Sequence, residues 1–243
     1  ANNSMYTHDV SGTDSTAQGN TAYGFNALDA VTGGDLNTVV GYLAGSAINS
    51  GSNNVLMGYA TGDALTTGSD NVAIGYAALS VEDTGSKNVA VGKSALNALN
   101  YNGDGYNVAV GYNAGLLVTT GIQNTIIGGL AGDSLMTGDN NVALGYAAFS
   151  AANTNESGNV AIGSSALSAL DNGTTAYTYN TAIGYNAGAA VTSGIENTLV
   201  GGEAGKETTI GNYNTALGLF SLHSNKDGDH NTAIGYKALE DYD

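Results

Sequence analysis

The chain lacks cysteine, proline, tryptophan and arginine, and it has no long apolar run. Without cysteine it forms no disulfide and has no thiol chemistry, although many secreted proteins share that lack, so it says little about compartment. No stretch approaches the roughly 18–20 consecutive apolar residues that a membrane-spanning helix needs. These absences exclude disulfide-stapled scaffolds, thiol chemistry and helical membrane spans.

Positive charge is also scarce. Five lysines face 21 acidic residues, which gives a formal net charge of −16. A surface of this kind repels phosphate backbones and anionic lipids, so we expect no nucleic-acid partner and no membrane insertion. The same charge favours solubility and opposes sideways association between molecules.

Glycine is abundant, at 37 of 243 residues. It follows no Gly-X-Y period, which excludes collagen. The hydrophobic fraction of 42% argues against disorder, because such a chain can bury apolar surface. A repeat that is rich in turns is the remaining interpretation.

One pattern, Asn-[Thr/Val]-x-x-Gly, occurs thirteen times. Nine of the twelve intervals between its asparagines are 17 residues long, and the others are 19, 18 and 21. A fixed period of this length is the signature of a repeat architecture. We number the positions of each repeat, or coil, from this asparagine, which is position 0.

Each coil has glycine at position 4 and usually a second one at position 14, where we expect the chain to turn with positive φ. Between the turns lie short β-branched runs such as Val72-Ala73-Ile74, which suit strands. The sequence therefore predicts an all-β protein, a parallel β-solenoid of thirteen coils of about 17 residues over residues 20–243, preceded by a lead-in at 1–19. Coils paired at about 4.8 Å would make a rod roughly 60 Å long. Position 8 runs Gly, Gly, Leu or Phe, Leu, which defines four-coil units starting near residues 37, 107 and 180.

The asparagine at position 0 is never replaced by Asp, Ser or Gly, as a simple turn residue would be. An amide side chain donates and accepts at once, so asparagines on successive coils can hydrogen-bond along the stack. We therefore predict a structural asparagine ladder. Its members are Asn37, Asn54, Asn71, Asn88, Asn107, Asn124, Asn141, Asn159, Asn180, Asn197, Asn214 and Asn231.

The strand at positions 1 to 3 is apolar on both sides. Position 1 is Val or Thr, position 3 is mostly aliphatic, and position 2 is Ala in nine coils. We expect positions 1 and 3 to point into the coil, and position 2 to point outward against another chain. The alanines predicted to pack between chains are Ala73, Ala90, Ala109, Ala143, Ala161 and Ala182.

Large and small residues are also correlated between positions 2 and 8. All four bulky residues at position 2 fall in coils whose position 8 is Gly: Val39, Leu56, Ile126 and Leu199. This is expected if the two positions share one volume at native packing density.

The last coil of each of the first two four-coil units carries an inserted loop, at 100–106 and 171–179. Each inserted loop contains a pair of tyrosines, and insertions in solenoids often lie on the binding surface. We therefore predict receptor contacts, to a surface glycan or a protein, at Tyr101, Tyr106, Tyr177 and Tyr179. Tyrosine also recurs at position 5 in seven coils; we interpret it as a structural stack, with an aromatic surface for carbohydrate as the alternative.

The segments Asn71-Val-Ala-Ile-Gly75 and Asn159-Val-Ala-Ile-Gly163 resemble the head repeats of trimeric autotransporter adhesins of the YadA type. The form Asn180-Thr-Ala-Ile-Gly-Tyr-Asn-Ala-Gly188 is similar to repeats in phage tail fibres. The resemblance covers about residues 20–239 and is specific for architecture and loose for function. It implies a left-handed β-roll, a side-by-side homotrimer, and display outside the cell or on a virion.

No pattern indicates an enzyme, a cofactor or a metal site. The histidines share no repeat position, and the calcium nonapeptide and phosphate-loop patterns are absent. We expect a rigid extracellular trimeric fibre segment for attachment to a host cell or surface, as in a phage tail fibre or bacterial adhesin. The alternative is a purely structural subunit of an extracellular filament without receptor binding. Ice binding, which needs a flat face of aligned threonines, ranks last for two reasons: position 1 is Thr in seven coils but Val in six, and we expect it to point inward.

Overall fold

The computed structural model describes the backbone of residues 7–8 and the whole of residues 17–151, 156–173 and 177–241. Most of the lead-in predicted at 1–19 lies outside these residues. The chain divides into two compact units, Ala1–Ile122 and Gln123–Asp243. Among the described residues there is no helix, and the fold is built from three-residue strands joined by turns.

The first unit holds seven strands. They are β1 Thr7–His8, β2 Thr21–Tyr23, β3 Thr38–Val40, β4 Val55–Met57, β5 Val72–Ile74, β6 Val89–Val91 and β7 Val108–Val110. Strands β2 to β7 pair in chain order and in parallel. β1 pairs antiparallel with β2, and so occupies the free edge of that strand.

The second unit has the same construction. Its strands are β8 Thr125–Ile127, β9 Val142–Leu144, β10 Val160–Ile162, β11 Thr181–Ile183, β12 Thr198–Val200, β13 Thr215–Leu217 and β14 Thr232–Ile234. Each pairs in parallel with the next along the chain. The predicted parallel β-solenoid with coils of about 17 residues is therefore confirmed.

Equal repeat positions face each other throughout. Val72 pairs with Val89 and, across the first insertion, Val89 pairs with Val108. Val160 pairs with Thr181 across the longer insertion. The extra residues thus leave the register unchanged, because they are accommodated outside the strands.

The interior of the coil lies behind position 2, contrary to our expectation. Ala73 and Leu56 at this position have no exposed surface, whereas their neighbours at positions 1 and 3 are half-buried or exposed. The expectation failed because both faces of the strand are apolar, so the alternation of polar and apolar residues does not indicate which face is buried. The interior of the coil is narrow and takes position 2, whose side chains, mostly alanine, are smaller than those at positions 1 and 3. Positions 7, 8 and 11 complete this core, with buried residues such as Ala78, Leu79 and Leu65.

The shared volume of positions 2 and 8 is present inside the coil. A Cβ placed on Gly62 would lie 3.1 Å from both Cδ atoms of Leu56, and one placed on Gly45 would lie 2.9 Å from Leu56 Cδ1. In seven of the nine coils with Ala at position 2, a Leu or Phe at position 8, such as Leu79, takes the corresponding space. The other two coils pair Ala with Gly, and at Gly188 the side chains of Leu167 and Leu199 reach in from the adjoining coils. Large and small residues are therefore matched both within a coil and between neighbouring coils.

The two repeated glycines serve different purposes. At position 4 the φ angle of Gly58 is 144°, a conformation open to glycine, and a Cβ there would strike the carbonyl oxygen of Gly75. At position 14, φ lies outside the left-handed range, so the positive φ expected there is wrong. Gly68 is required instead by the close approach of the carbonyl oxygen of Gly85 in the next coil.

Candidate functional site

The asparagines at position 0 form a buried column within each unit. Oδ1 of Asn37 accepts hydrogen bonds from both the backbone nitrogen and Nδ2 of Asn54, each at 3.0 Å. Nδ2 of Asn54 also donates to the carbonyl of Gly68 in its own coil, at 2.9 Å. One side chain thus satisfies buried groups of two coils, which explains why no other residue stands at this position.

The column continues past both insertions, where some of the hydrogen-bond partners change. Nδ2 of Asn88 donates to Asn71 Oδ1 at 3.3 Å and to the carbonyl of Ser86, and Nδ2 of Asn159 makes the equivalent contact with Ser157. At the second insertion, Oγ1 of Thr178 donates to Asn159 Oδ1 at 2.8 Å. Within the first unit the column comprises Asn20, Asn37, Asn54, Asn71, Asn88 and Asn107, and within the second it comprises Asn124, Asn141, Asn159, Asn180, Asn197, Asn214 and Asn231.

The alanines assigned to packing between chains lie inside a single chain instead. Each has at most 1% of its surface exposed, so none can contact a second molecule, and that assignment is wrong. They are Ala73, Ala90, Ala109, Ala143, Ala161 and Ala182. The physical reason is that position 2 faces the interior of the coil, which places positions 1 and 3 on the surface.

A second polar ladder, at position 15, escaped sequence reasoning. The backbone nitrogen of Ser52 donates to Oγ of Ser69, and that of Ser69 donates to Oγ of Ser86, each at 3.0 Å. Asn212 and Asp229 repeat the contact in the second unit at 2.6 Å. The acceptor is Ser, Asn or Asp, and isoleucine stands at this position in two coils, as at Ile195, whose backbone nitrogen donates to Asn212 Oδ1 at 3.0 Å. Because the residue type varies, no invariant pattern in the sequence marks this interrupted column.

The first inserted loop is held by a buried carboxylate. Glu82 has no exposed surface; its Oε1 accepts from the backbone nitrogen of Gly85 at 2.7 Å and its Oε2 accepts from that of Tyr101 at 3.1 Å. Burial raises the pKa of Glu82, and the hydrogen bonds from Tyr101, Gly85 and Thr84 oppose that rise. The carboxyl therefore ties the start of the loop to the preceding coil.

The other tyrosine of this loop belongs to an exposed charged cluster. Nζ of Lys87 lies 2.6 Å from Asp104 Oδ2 and 3.2 Å from the hydroxyl of Tyr106, and it stands over the Tyr106 ring. The hydrogen bond from Lys87 lowers the pKa of Asp104 and raises that of Lys87. Tyr101 and Tyr106 thus have different surroundings, and Tyr106 is the more exposed of the two.

The second inserted loop repeats the buried carboxylate. Oε1 of Glu156, which has no exposed surface, accepts from the backbone nitrogen of Asn172 at 2.9 Å. Tyr177 and Tyr179 stack at 5.3 Å between ring centroids, and both rings are half exposed. The predicted receptor pair Tyr177 and Tyr179 is therefore brought together, while residues 174–176 of this loop lie outside the described residues.

The aromatic residues at position 5 stack continuously in part of the first unit. Ring centroids of Phe25, Tyr42, Tyr59 and Tyr76 follow one another at 5.7, 5.4 and 5.1 Å, with interplanar angles of 5° to 13°. The next rung is Lys93, whose Nζ lies 5.8 Å from the Tyr76 centroid. The internal rings of this stack cover each other's faces, which fits a structural role better than a platform for sugar rings.

The same column is interrupted in the second unit. Tyr146 and Tyr185 stand two coils apart with Ser164 between them, and both are more exposed, at 61% and 60%, than the stacked Tyr59 at 48%. Gly202 occupies the rung after Tyr185. The side chain of Leu219, on the following rung, extends into the space beside this glycine, and its Cδ1 would lie 3.0 Å from a Cβ placed on residue 202.

The histidines of the second unit have separate partners. Nε2 of His223 lies 3.3 Å from Oε2 of Glu203, and the same oxygen pairs with Nζ of Lys206 at 2.8 Å. The hydrogen bond with Lys206 lowers the pKa of Glu203 most, and the contact with His223 lowers it further. The ring of His230 stacks on Tyr213 at 4.8 Å. In the described part of the chain, no group of three or more His, Cys, Asp or Glu side chains could hold a metal ion.

Comparison with protein-family models, with curated proteins and with solved structures finds no match to this chain. The resemblance to adhesin heads and tail fibres therefore stays a prediction. Within the residues that the structure describes, no helix has the length and apolarity to cross a membrane.

Proposed function

We propose that the chain is a rigid extracellular fibre segment that assembles as a homotrimer and serves in attachment to a host cell or surface. The supporting observation is an apolar outer strand face, formed in each unit by positions 1 and 3. It includes half-exposed side chains such as Met57, Leu144 and Leu217, at 45%, 41% and 48% exposure. Monomeric proteins rarely expose contiguous apolar patches of this kind, and such patches mark interaction sites.

A second copy of the chain suits this face better than a charged partner. The side chains at positions 1 and 3 are mostly β-branched or aliphatic and form a regular, shallow surface, as strands β4 to β6 illustrate. The net charge of −16 opposes contact between other surfaces of like molecules. Self-association through the outer strand face would remove the apolar surface while leaving the acidic surfaces in water.

Light scattering tests the assembly. The wild type should have about three times the chain mass of 24.2 kDa. Replacing Ile74 and Ile183 with lysine places charges on the outer strand face of each unit and should shift the mass toward that of one chain. The matched control is Thr67→Lys at an exposed turn, which should leave the trimer intact. A wild-type monomer would contradict the proposal.

The alternative, a subunit of a continuous filament, is less favoured. Coils of one molecule could stack on those of another only where a strand edge is free. In the first unit, β1 already occupies the edge of β2. This supports a discrete fibre segment at that end.

Ice binding is a second candidate, because one of the two arguments that ranked it last, the inward direction of position 1, was wrong. Position 1 faces outward, and β11 to β14 present Thr181, Thr198, Thr215 and Thr232 in register. A thermal-hysteresis assay tests this directly: activity lost on replacing Thr198 and Thr215 with lysine would support it, and its absence in the wild type would exclude it.

A further inference from the structure

Tyr146, Ser164 and Tyr185 occupy successive rungs of the position-5 column. The backbone nitrogen of Ser165 donates to the carbonyl of Tyr146, and that of Asn186 donates to the carbonyl of Ser164, both at 3.0 Å. Strands β9, β10 and β11 immediately before them are paired in register. The two tyrosines are therefore aligned along the stack, with only the small Ser164 side chain between them.

The gap between the rings of Tyr146 and Tyr185 has the thickness of one missing aromatic ring. Neighbouring rungs of a sheet lie about 4.8 Å apart, so rings two rungs apart are separated by about 10 Å. In the first unit, Tyr42 and Tyr59 on adjacent rungs have centroids 5.4 Å apart. A group placed midway over Ser164 would thus lie about 5 Å from each ring, inside the roughly 6 Å range of a cation–π contact.

The first unit contains the filled counterpart of this gap. Tyr76, Lys93 and Tyr112 occupy three successive rungs at the same repeat position, with the same backbone hydrogen bonds at 2.9 Å. Nζ of Lys93 lies 5.8 Å from the Tyr76 centroid and 5.5 Å from that of Tyr112. Where a rung between two tyrosines carries lysine, its ammonium group therefore lies between the rings.

We propose that the gap over Ser164 binds a quaternary ammonium group between the ring faces of Tyr146 and Tyr185. Such a cation is attracted by the negative faces of both rings and needs no hydrogen-bond partner. The net charge of −16 raises the local concentration of cations. The lysine of the coil that follows Tyr185, Lys206, is paired with Glu203 at 2.8 Å.

This site is separate from positions 1 and 3, so its test does not depend on the oligomeric state. The probes are tetramethylammonium and choline, titrated into the full chain and followed by the upfield shift of their N-methyl proton resonances, which ring faces produce. The neutral isostere 3,3-dimethyl-1-butanol and methyl glucoside are the comparison ligands. We expect choline to bind about tenfold more tightly than its isostere.

Two reciprocal variants make the test specific. Ser164→Lys should supply an internal ammonium, as Lys93 does, and abolish binding. Lys93→Ser should open the equivalent gap between Tyr76 and Tyr112 and add a second site. Tyr185→Ala should weaken binding about tenfold, whereas the control Tyr236→Ala, at the same repeat position two coils beyond the Gly202 rung, should not.

Three results would overturn the proposal. They are equal affinity for choline and its neutral isostere, undiminished binding by a folded Ser164→Lys variant, and preferential binding of methyl glucoside. The isostere comparison uses the wild type alone, so it decides the matter even if a variant fails to fold. Choline linked to a lipid vesicle and a trimethyllysine peptide, compared with free choline, would then distinguish the sources of the group.

Discussion

Single residues in this fold adopt the left-handed conformation at an unusual density. At positions −1, 6 and 8, ordinary side chains have φ between about 47° and 62°, including Leu79, Phe149 and Tyr106. The left-handed region costs an L-residue roughly 1–2 kcal/mol. The coil tolerates that cost because the conformation directs each backbone N–H to a carbonyl of a neighbouring coil, as for Leu79 and the carbonyl of Ala95.

This strain predicts a stabilising substitution. Ala60, at position 6 and half-buried, has φ of 47°. Ala60→Gly should raise the free energy of unfolding by about 0.5–1 kcal/mol, because relief of strain exceeds the added entropy of the unfolded chain. The control is Ala98→Gly, at a half-buried position outside the left-handed region, which should lower it by a similar amount. Urea unfolding measures both, and a loss of stability in Ala60→Gly would contradict the strain argument.

Individual residue roles could be predicted from sequence only where the side chain type was unique. Asn54 and its equivalents combine donor and acceptor, and nothing else replaces them, so the ladder was evident from the pattern. The direction of Ala73 was not, because Val72 and Ile74 beside it are also apolar. Which face is interior depends on the width of the coil, which only the stacking of positions 2, 7, 8 and 11 reveals.

At the scale of elements, the inserted loops show how the solenoid accommodates extra residues. Glu82 and Glu156 each place a buried carboxylate beneath a loop and accept a backbone N–H from it. The insertions themselves were predictable from the spacing of asparagines. The anchoring carboxylates were not, because neither stands at a position where other coils carry an acidic residue.

The buried Glu82 gives the first unit a specific dependence on pH. Its pKa in the folded state is raised above its ordinary value of 4.5, so its ionised form is disfavoured by folding. Its contribution to stability is fully present below about pH 4.5 and is lost as pH rises through the raised pKa. We therefore compare the unfolding free energies of the wild type and Glu82→Gln. The wild type should have its greatest advantage near pH 4.5, and this advantage should decline toward pH 7.5.

Urea unfolding at several pH values measures this difference. The control is Asp70→Asn, at an exposed position of the same unit, and the trend is assigned to Glu82 only where it exceeds that of the control. Loss of the Asp104–Lys87 pair acts at lower pH, because the pKa of Asp104 is lowered. A wild-type advantage that grows with rising pH would show that hydrogen bonding to the carboxylate outweighs its burial.

At the scale of the molecule, the repeated coil creates two hazards, an apolar outer strand face and exposed strand edges. The first is the surface that we propose is covered by other copies of the chain. The second is an edge-to-edge association risk, because an unpaired edge is a template for another strand. β1, running antiparallel to β2, occupies one such edge.

Deleting residues 1–16 should therefore expose the edge of β2 and promote end-to-end association. We expect the mass from light scattering to rise with concentration in the deleted protein and to stay constant in the full chain. Deletion of residues 1–6 alone retains β1 and is the matched control. Because the net charge of −16 opposes approach, added salt should strengthen the effect. If the shortened protein keeps a constant mass at all concentrations, β1 does not act as a cap, and the preference for a discrete segment over a filament loses its structural support.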